Sequence, residues 1–465
     1  MRNQESSHSG SLYEKRAKIY TLWVSGRFQY LRNLSLTVLI LFFYLLPWMQ
    51  WQGRPAIWFN LPERKFFMLG ITFWPQDFIL LSWFLILSVF ILFFFTVVAG
   101  RLWCGYACPQ TVWTKYFIWI EHLVEGDRNK RIMLDRSRWN FRKIRIKGTK
   151  HALWVLLAFM IGFTSVGFFI PVRELYQGLV TGTLSSVASY WLLGVTVGSY
   201  VTATFLREQV CIYMCPYARF QSVMLDNNTL IISYDEKRGE PRGKRKRHQA
   251  PEEHGKGSCI DCKLCVHACP TGIDIREGLQ IACIGCAACV DVCDDVMDKM
   301  GYEPGLIRYC TQNELDGVET RRVTPRVIAF GVITVLMVSL FSFRLASRVP
   351  LSLDIVRDRA RLYREIYDGG IENTYTLKIL NMDQRGHRIA LSVEGDVAVQ
   401  YAGKQEVFVE AGEALSLPIH LVVSPEDLKS AEGNSDVVFT AQSLDEAKVR
   451  ATHESRFIRP VDQVP

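Results

Sequence analysis

Through most of the chain the apolar positions follow neither a helical nor a strand period. They run in unbroken blocks at residues 34–49, 78–99, 152–170, 187–206 and 327–343. A helix needs about 20 mostly apolar residues to cross a bilayer core. One such block could be a buried helix of a soluble protein, but five with so few charges predict an α-helical membrane protein with five transmembrane helices. Four lie in a membrane region at 34–206 and the fifth at 326–345. Pro47 near the end of the shortest block predicts a break or an extended turn, because its ring removes a helical hydrogen bond. Residues 1–33 are polar and no small-residue cleavage site follows the first block, so they are expected to be a retained cytoplasmic segment.

From about residue 373 the pattern changes to alternation. Tyr375, Leu377 and Ile379 are followed by a turn-like stretch at 383–386 and then by Ile389, Leu391 and Val393. Period two marks half-buried strands, and further short runs at 397–401, 406–409, 415–422 and 436–440 continue at similar intervals. The region 346–465 is therefore expected to be a small antiparallel β-sandwich. It contains no cysteine, so its stability must come from the two-sheet core, and protein contact, positioning or simple stabilisation are the roles open to it.

Charge orients the spans. The segment 101–150 and the segment after Leu206 are strongly basic, whereas 51–77 and 171–186 carry few basic residues. Basic loops stay in the cytoplasm, which puts the N-terminus and the region 207–325 inside and the C-terminal domain outside, in the periplasm of a bacterium whose inner membrane holds the protein. The run Lys244 to His248, with Arg238 and Arg242 before it, could be a nucleic-acid patch. Beside a membrane it is better read as a topology signal that contacts anionic lipid, so no nucleic-acid partner is expected.

The region 207–325 carries a doubled cysteine run. Cys259-x2-Cys262-x2-Cys265-x3-Cys269-Pro270 is followed by Cys283-x2-Cys286-x2-Cys289-x3-Cys293. Three close cysteines occupy three corners of a cubane cluster while the fourth reaches to its neighbour. The expected ligand sets are thus Cys259, Cys262, Cys265 and Cys293 for one 4Fe-4S cluster, and Cys283, Cys286, Cys289 and Cys269 for the other. Paired C-x2-C also suits zinc, but the unbroken run written twice is the bacterial ferredoxin pattern, and a disulfide framework this dense would need an oxidising compartment. Asp294 stands where a second proline would follow. The module handles single electrons.

A second repeat lies at the cytoplasmic ends of the second and fourth blocks, Cys104-Gly-Tyr-Ala-Cys108-Pro109 and Cys211-Ile-Tyr-Met-Cys215-Pro216. The i, i+4 spacing would place both sulfurs of a pair on one face of a continued helix, and facing pairs would gather four thiols at the membrane surface. Soft thiolates at close range select copper(I), zinc or an iron–sulfur cluster, with Met214 a further thioether donor. Buried inert cysteines and redox-active disulfides are the other readings. Cys310 has no partner at motif spacing and reads as a structural thiol. His122 and His151 lie near membrane boundaries without paired spacing and read as interfacial rather than haem or copper ligands. Gly194, Gly198 and Ala203 form a small-residue stripe that suits close helix packing, within one chain or in a homodimer. No G-x-G-x-x-G opens a βαβ unit, so the cytoplasmic electron donor is unnamed.

The chain resembles the FixG/RdxA/CcoG family of accessory proteins of cbb3-type cytochrome c oxidases. The resemblance is carried by the two Cys-x3-Cys-Pro motifs, Tyr234-Asp235, Arg238-Gly-Glu-Pro-Arg-Gly243, Cys259-Ile-Asp-Cys262, Pro270-Thr-Gly-Ile-Asp-Ile275, residues 301–309 and Tyr375-Thr-Leu-Lys-Ile-Leu-Asn381. It implies a cytoplasmic two-cluster module, a membrane portion and a periplasmic immunoglobulin-like domain. It further implies reduction of copper(II) to copper(I) for the oxidase, with Cys104, Cys108, Cys211 and Cys215 as candidates for holding copper, and with oxidase assembly factors or copper chaperones as partners. Thiolates favour copper(I) and raise the ion's potential, and about 59 mV shifts a one-electron equilibrium tenfold. Two other readings stand beside it: electron transfer between quinol or a cytoplasmic donor and a redox partner, and a copper-binding assembly scaffold with structural clusters.

Overall fold

The computed structural model describes residues 18–459 apart from 52, 248, 250–254, 322, 359–360 and 430–433. Residues 1–17 of the expected N-terminal segment and His248 of the basic run lie outside the described residues. The chain divides into two compact units. The first comprises residues 1–45, 87–166 and 176–336, and the second 46–86, 167–175 and 337–465.

Among the described residues four helices are long and apolar enough to cross a membrane: Arg27–Trp48, Pro75–Ala99, Phe141–Gly167 and Pro325–Ala346. In the second and fourth of these only 6% of the most apolar window is buried, so their Leu, Ile, Val and Phe side chains face outward, as lipid-facing residues do. The block expected as a separate fourth span is instead one arm of a bent pair, Val172–Thr181 with Ser186–Leu206, at 100°. The bend has local causes. Gly182 sits at φ +70, and the Ser185 side chain accepts from Ala188 N–H to restart the helix. At Pro47 the first helix tightens into a 3-10 turn, Leu46–Trp48. Gly194 and Gly198 face open space, whereas Ala203 is buried.

In the first unit the doubled cysteine run forms a pseudo-symmetric module. Strand Ile231–Tyr234 pairs antiparallel with Ile307–Cys310, with Ile231 opposite Cys310. Helices Leu264–Ala268 and Ala288–Met300 pack with this ribbon around buried Ala287, Val290, Met297, Leu306 and Ile307. The repeat extends to the backbone. Asp261 and Gly285 (φ 52 and 65) lie one residue before the second cysteine of each run, and Lys263 and Ala287 (φ 57 and 56) one residue after it. Left-handed residues in both positions wind each loop into a cup, a conformation that costs non-glycine residues energy unless the surroundings enforce it.

The second unit is built on a β-sandwich. One sheet has strands Val399–Ala402, Ala414–Val423, Ile371–Asn381 and Leu351–Arg357 in that order, with Arg364–Glu365 also paired to Ile371–Asn381. The other runs Glu406–Val409, His387–Gly395, Ser435–Ser443, Arg450–Phe457. Alternation of buried and exposed positions along Ile371–Asn381 sends Ile371, Tyr375, Leu377 and Ile379 into a core shared with Ile389, Val437 and Phe439. Residues 51–77, expected only as a loop, contain a three-stranded sheet of Ile57–Asn60, Lys65–Met68 and Ile71–Phe73. That sheet is tied to the sandwich by Arg348, which donates to Thr72 O (2.9 Å), and by a small apolar cluster of Trp74, Leu380 and Met382.

Candidate functional site: a thiol relay

The structure brings Cys259, Cys262, Cys265 and Cys293 to the walls of one cavity, and Cys269, Cys283, Cys286 and Cys289 to the walls of a second, which Cys265 also lines. Cys293 therefore crosses to the first run and Cys269 to the second. These cups fit a four-iron cluster: each is lined by thiols and mostly apolar side chains, with Lys263 and Arg276 at the first and Thr271 at the second. Gly285 N–H points at Cys283 Sγ (3.4 Å), a donor that favours anionic sulfur. Burial pushes the Cys265 and Cys283 thiols up to about 12, so the positive charge of bound metal is what converts them to thiolates. Asp294, in place of the second proline, accepts from Gly305 N–H at 2.8 Å and fixes the chain's exit from the helix.

The two Cys-x3-Cys-Pro motifs depart from a continued helix. Cys104 lies in the short helix Leu102–Tyr106, while Cys108 is the extended N-cap (φ −60, ψ 127) of Pro109–Glu125. Cys211 lies in a π-helical turn, Val210–Met214, and Cys215 is the extended N-cap (φ −78, ψ 112) of Pro216–Met224. The cause is the proline, whose ring drives the preceding residue out of the helical region. The thiols nevertheless lie within electrostatic reach of one another. Burial first, and then the fields of Cys108, Cys211 and Cys215, push Cys104 up to about 12. Cys211 rises to about 11 through burial and then through Cys108 and Cys215. Met214 is exposed.

The first motif is pressed onto the second cluster loop. A Cβ on Gly105 would lie 2.8 Å from Gly285 O, so the loop carrying Cys104 touches the loop carrying Cys283 and Cys286. Arg101 stitches the two together, donating through Nη1 to Cys283 O (2.7 Å) and to Ile281 O. From the other side Arg32 Nε donates to Gly105 O (3.0 Å). Gln221, fully buried, receives the Cys104 thiol at 3.5 Å and donates to Gly100 O at 2.9 Å. Sequence reasoning missed Arg101, Gln221 and Arg32. A lone arginine at the end of an apolar block reads only as a topology charge.

The remaining candidates are occupied otherwise. Cys310 is fully buried in its strand. His122 pairs with Asp127 (2.8 Å) and stacks on Trp23, and His151 pairs with the Tyr200 hydroxyl (2.8 Å). Arg238 donates to Pro304 O and Arg245 lies over the Tyr302 ring, so part of the basic run serves the module's own packing. None of the thirteen cysteines is paired in a disulfide. Among the described residues no three His, Cys, Asp or Glu side chains converge closely enough to hold a single metal ion.

Residues 206–312 match the 4Fe-4S dicluster domain, 81–129 a 4Fe-4S binding domain, and 341–460 the IG-like fold at the C-terminus of FixG. Protein RdxB of Cereibacter sphaeroides is 37% identical over 97% of this chain and 98% of its own. The chain belongs to the FixG family. Nitrogen fixation protein FixG of Rhizobium meliloti is 38% identical over 83% of this chain and 81% of its own length. Protein RdxA of C. sphaeroides is 37% identical over 88% of each chain. As a FixG-family member with a dicluster domain and cups that fit its clusters, the protein is an iron–sulfur electron-transfer protein.

Proposed function

We propose that this FixG-family protein reduces copper(II) to copper(I) for assembly of a cbb3-type cytochrome oxidase, with Cys104, Cys108, Cys211 and Cys215 as the thiols at which electrons leave for copper. The observation that carries the reading is the contact of Gly105 with Gly285, which sets the first thiol motif directly against a cluster loop. When bound, the two clusters supply one-electron carriers. The chain does the rest. Arg101 and Arg32 hold the thiol loop in place from either side, and Gln221 fixes the direction of the Cys104 side chain. Sulfur donors favour copper(I) over copper(II), and two thiolates suffice for an ion that accepts low coordination.

The apolar helices support a multi-pass protein of a bacterial inner membrane. The basic segment 101–150 supports a cytoplasmic location for the cluster module, and the same rule puts the sandwich in the periplasm. Its partners on this reading are a cytoplasmic electron donor and, for the product, oxidase assembly factors or copper chaperones. The open Gly194 and Gly198 positions suit a homodimer contact.

The test uses full-length protein in detergent, reduced anaerobically and freed of reductant, then given copper(II) with a copper(I)-specific chromogenic chelator. Turnover should be lost in Cys104→Ser and Cys211→Ser variants that keep their dicluster spectrum. Turnover at the parental rate would remove copper from the proposal.

A second reading, exchange with a quinol, is favoured by one feature. A cavity of about 460 Å³ is lined by Glu121, Lys150, His151, Trp154 and Arg207, and in it buried Glu121 Oε1 accepts no hydrogen bond. Oxidation of a soluble quinol by the oxidised protein, retained in Cys104→Ser, would favour that reading over copper.

A further inference from the structure

We infer that the basic segment 238–247, with Lys256 and Lys263, is the docking surface at which an acidic one-electron carrier protein delivers electrons to the first cluster. The inference deepens the electron-transfer reading by fixing the point of entry and the chemistry of the donor. It rests on the clusters acting as a relay and not on copper as the acceptor.

The two cups differ in access. Of the eight cluster cysteines Cys262 alone is exposed, and it belongs to the first cup. In the second cup Cys283 and Cys286 are buried, and their loop is pressed by Gly105 and held by Arg101. A protein partner that must approach a ligand sulfur therefore meets the first cluster, while the second faces the thiol motif. Electrons enter beside Cys262 and leave toward Cys104.

The basic segment is built onto the accessible end. Gly243 N–H donates to Cys259 O (3.1 Å), Cys259 N–H to Gly239 O (3.3 Å), Ser258 N–H to Arg238 O (2.8 Å) and Gly257 N–H to Pro241 O (3.0 Å). These bonds lay the segment alongside the start of the first cluster loop. Arg245 donates to Gly257 O and lies over the Tyr302 ring, and Arg238 is held by Pro304 O. Contact with anionic lipid needs no such fixed placement beside a cluster ligand.

The charge it presents is largely uncompensated. Residues 238–247 hold six basic side chains against one acid, Glu240, which pairs with Arg242 at 3.5 Å. Lys244, Lys246, Arg247 and Lys263 are exposed and make no ion pair among the described residues. Lys263 lines the first cup itself. A Cβ on Gly243 would lie 2.8 Å from Lys256 Nζ, so that cation joins the segment. Asp261, next to Cys262, is taken up by buried Arg276 at 2.7 Å. Clustered charge of one sign steers an oppositely charged partner and raises its on-rate. Electron-transfer encounters use small, transient interfaces, so the patch needs no large apolar anchor. In the step itself the carrier loses one electron and the cluster gains it, with no bond made or broken.

The test mixes full-length protein, its clusters oxidised, in uncharged detergent with the hydroquinone of an acidic flavodoxin, and follows the flavin semiquinone that forms. Lys244→Glu/Lys246→Glu should lower the second-order rate about tenfold at low salt, and the gap should close as salt rises. Reduction by the methyl viologen radical, a small cation, should not fall. The same charge change on the other basic segment, Lys130→Glu/Arg138→Glu, should leave the flavodoxin rate at the parental value. Carbodiimide coupling of the wild-type protein to flavodoxin should join flavodoxin carboxylates to Lys244, Lys246 or Lys263, a readout independent of any rate. A parental flavodoxin rate in Lys244→Glu/Lys246→Glu, an equal fall with both reductants, an equal fall in Lys130→Glu/Arg138→Glu, or crosslinks confined to other lysines each overturns the inference and leaves the segment to anionic lipid. No copper enters these measurements. Failure of copper(II) turnover beside the expected flavodoxin results would overturn the copper reading and leave the docking surface standing.

Discussion

Asp291 Oδ2 accepts a hydrogen bond from the Gln29 backbone N–H at 2.6 Å, and Oδ1 accepts one from Phe28 N–H at 3.1 Å. Asp291 stands between cluster ligands Cys289 and Cys293, and Gln29 lies in the first turn of the first apolar helix, Arg27–Leu45. A carboxylate from the cluster module thus caps that helix, satisfying two orphan donors and meeting the positive end of its dipole. The fit is close, since a Cβ on Gly26 would lie 2.3 Å from Asp291 Cγ. Asp291→Ala should cost about 1–3 kcal/mol, the range for leaving buried donors unsatisfied. It should also speed cluster loss to an iron chelator, followed as bleaching of visible absorbance. Asp291→Asn, which keeps an acceptor, should lose less. Equal bleaching rates in wild type and Asp291→Ala would show that the cap does not hold the module.

The contact between Gly105 and Gly285 makes a second prediction. Alanine at 105 would put a methyl group 2.8 Å from Gly285 O, closer than carbon and oxygen approach, so the two loops must part. Copper(II) reduction in Gly105→Ala should fall severalfold while the iron content of the dicluster module is unchanged. Gly285→Ala acts differently. Gly285 sits at φ +65, where a side chain costs about 1–2 kcal/mol, so this variant should lower stability as well as rate. An unchanged rate in Gly105→Ala would separate the contact from the electron path.

These two relationships mark where sequence reading runs out. Cysteine spacing and apolar blocks are one-dimensional signals, so the cluster ligands and the apolar helices are legible without a structure. The partners Asp291 and Gln29 are 262 residues apart, and no local pattern announces their contact. Arg101 and Gln221 are single polar residues among apolar ones, and only burial reveals that each supports the site. The Arg450–Phe457 strand was illegible for another reason. It is an edge strand whose sequence, Arg-Ala-Thr-His-Glu-Ser-Arg-Phe, buries only its last residue fully, so it lacks the apolar alternation that marked its neighbours. The strands within 51–77 are two to four residues long, too short for a period to register, although aromatic Trp58, Phe59, Phe66 and Phe67 hint at strand.

Lys115 yields a pH prediction. It lies on the Pro109–Glu125 helix, with Nζ donating to Asn33 Oδ1. Burial first, and then the field of Arg32, lower its pKa from 10.5 to about 7. Between about pH 7 and 10.5 the unfolded chain binds a proton that the folded chain does not, so stability rises with pH across that window. Below about pH 7 both states are charged and the penalty for burying the ammonium is fully present. Lys115→Met should therefore raise the melting temperature most near and below pH 7 and flatten its dependence between pH 7 and 10. A parallel offset at every pH would assign the effect to packing instead.

The sandwich core offers a test of how independent the second unit is. Tyr375 and Phe439, each 1% exposed, meet edge to face at 5.3 Å between ring centroids across the two sheets. The Tyr375 hydroxyl donates to Arg456 O at 2.8 Å. Phe439→Ala removes a ring at the centre of this packing and should cost about 3–5 kcal/mol, a large part of what holds a domain of this size together. Tyr375→Phe keeps the ring and leaves one carbonyl without its donor, so about 1 kcal/mol is expected. The units fold around separate cores, one of cluster thiols and apolar helices and one of paired sheets. Phe439→Ala should therefore lower the cooperative unfolding of the sandwich, seen as protease sensitivity after residue 346, with visible absorbance and iron content unchanged. Loss of iron in step with sandwich unfolding would show instead that the two cores depend on one another.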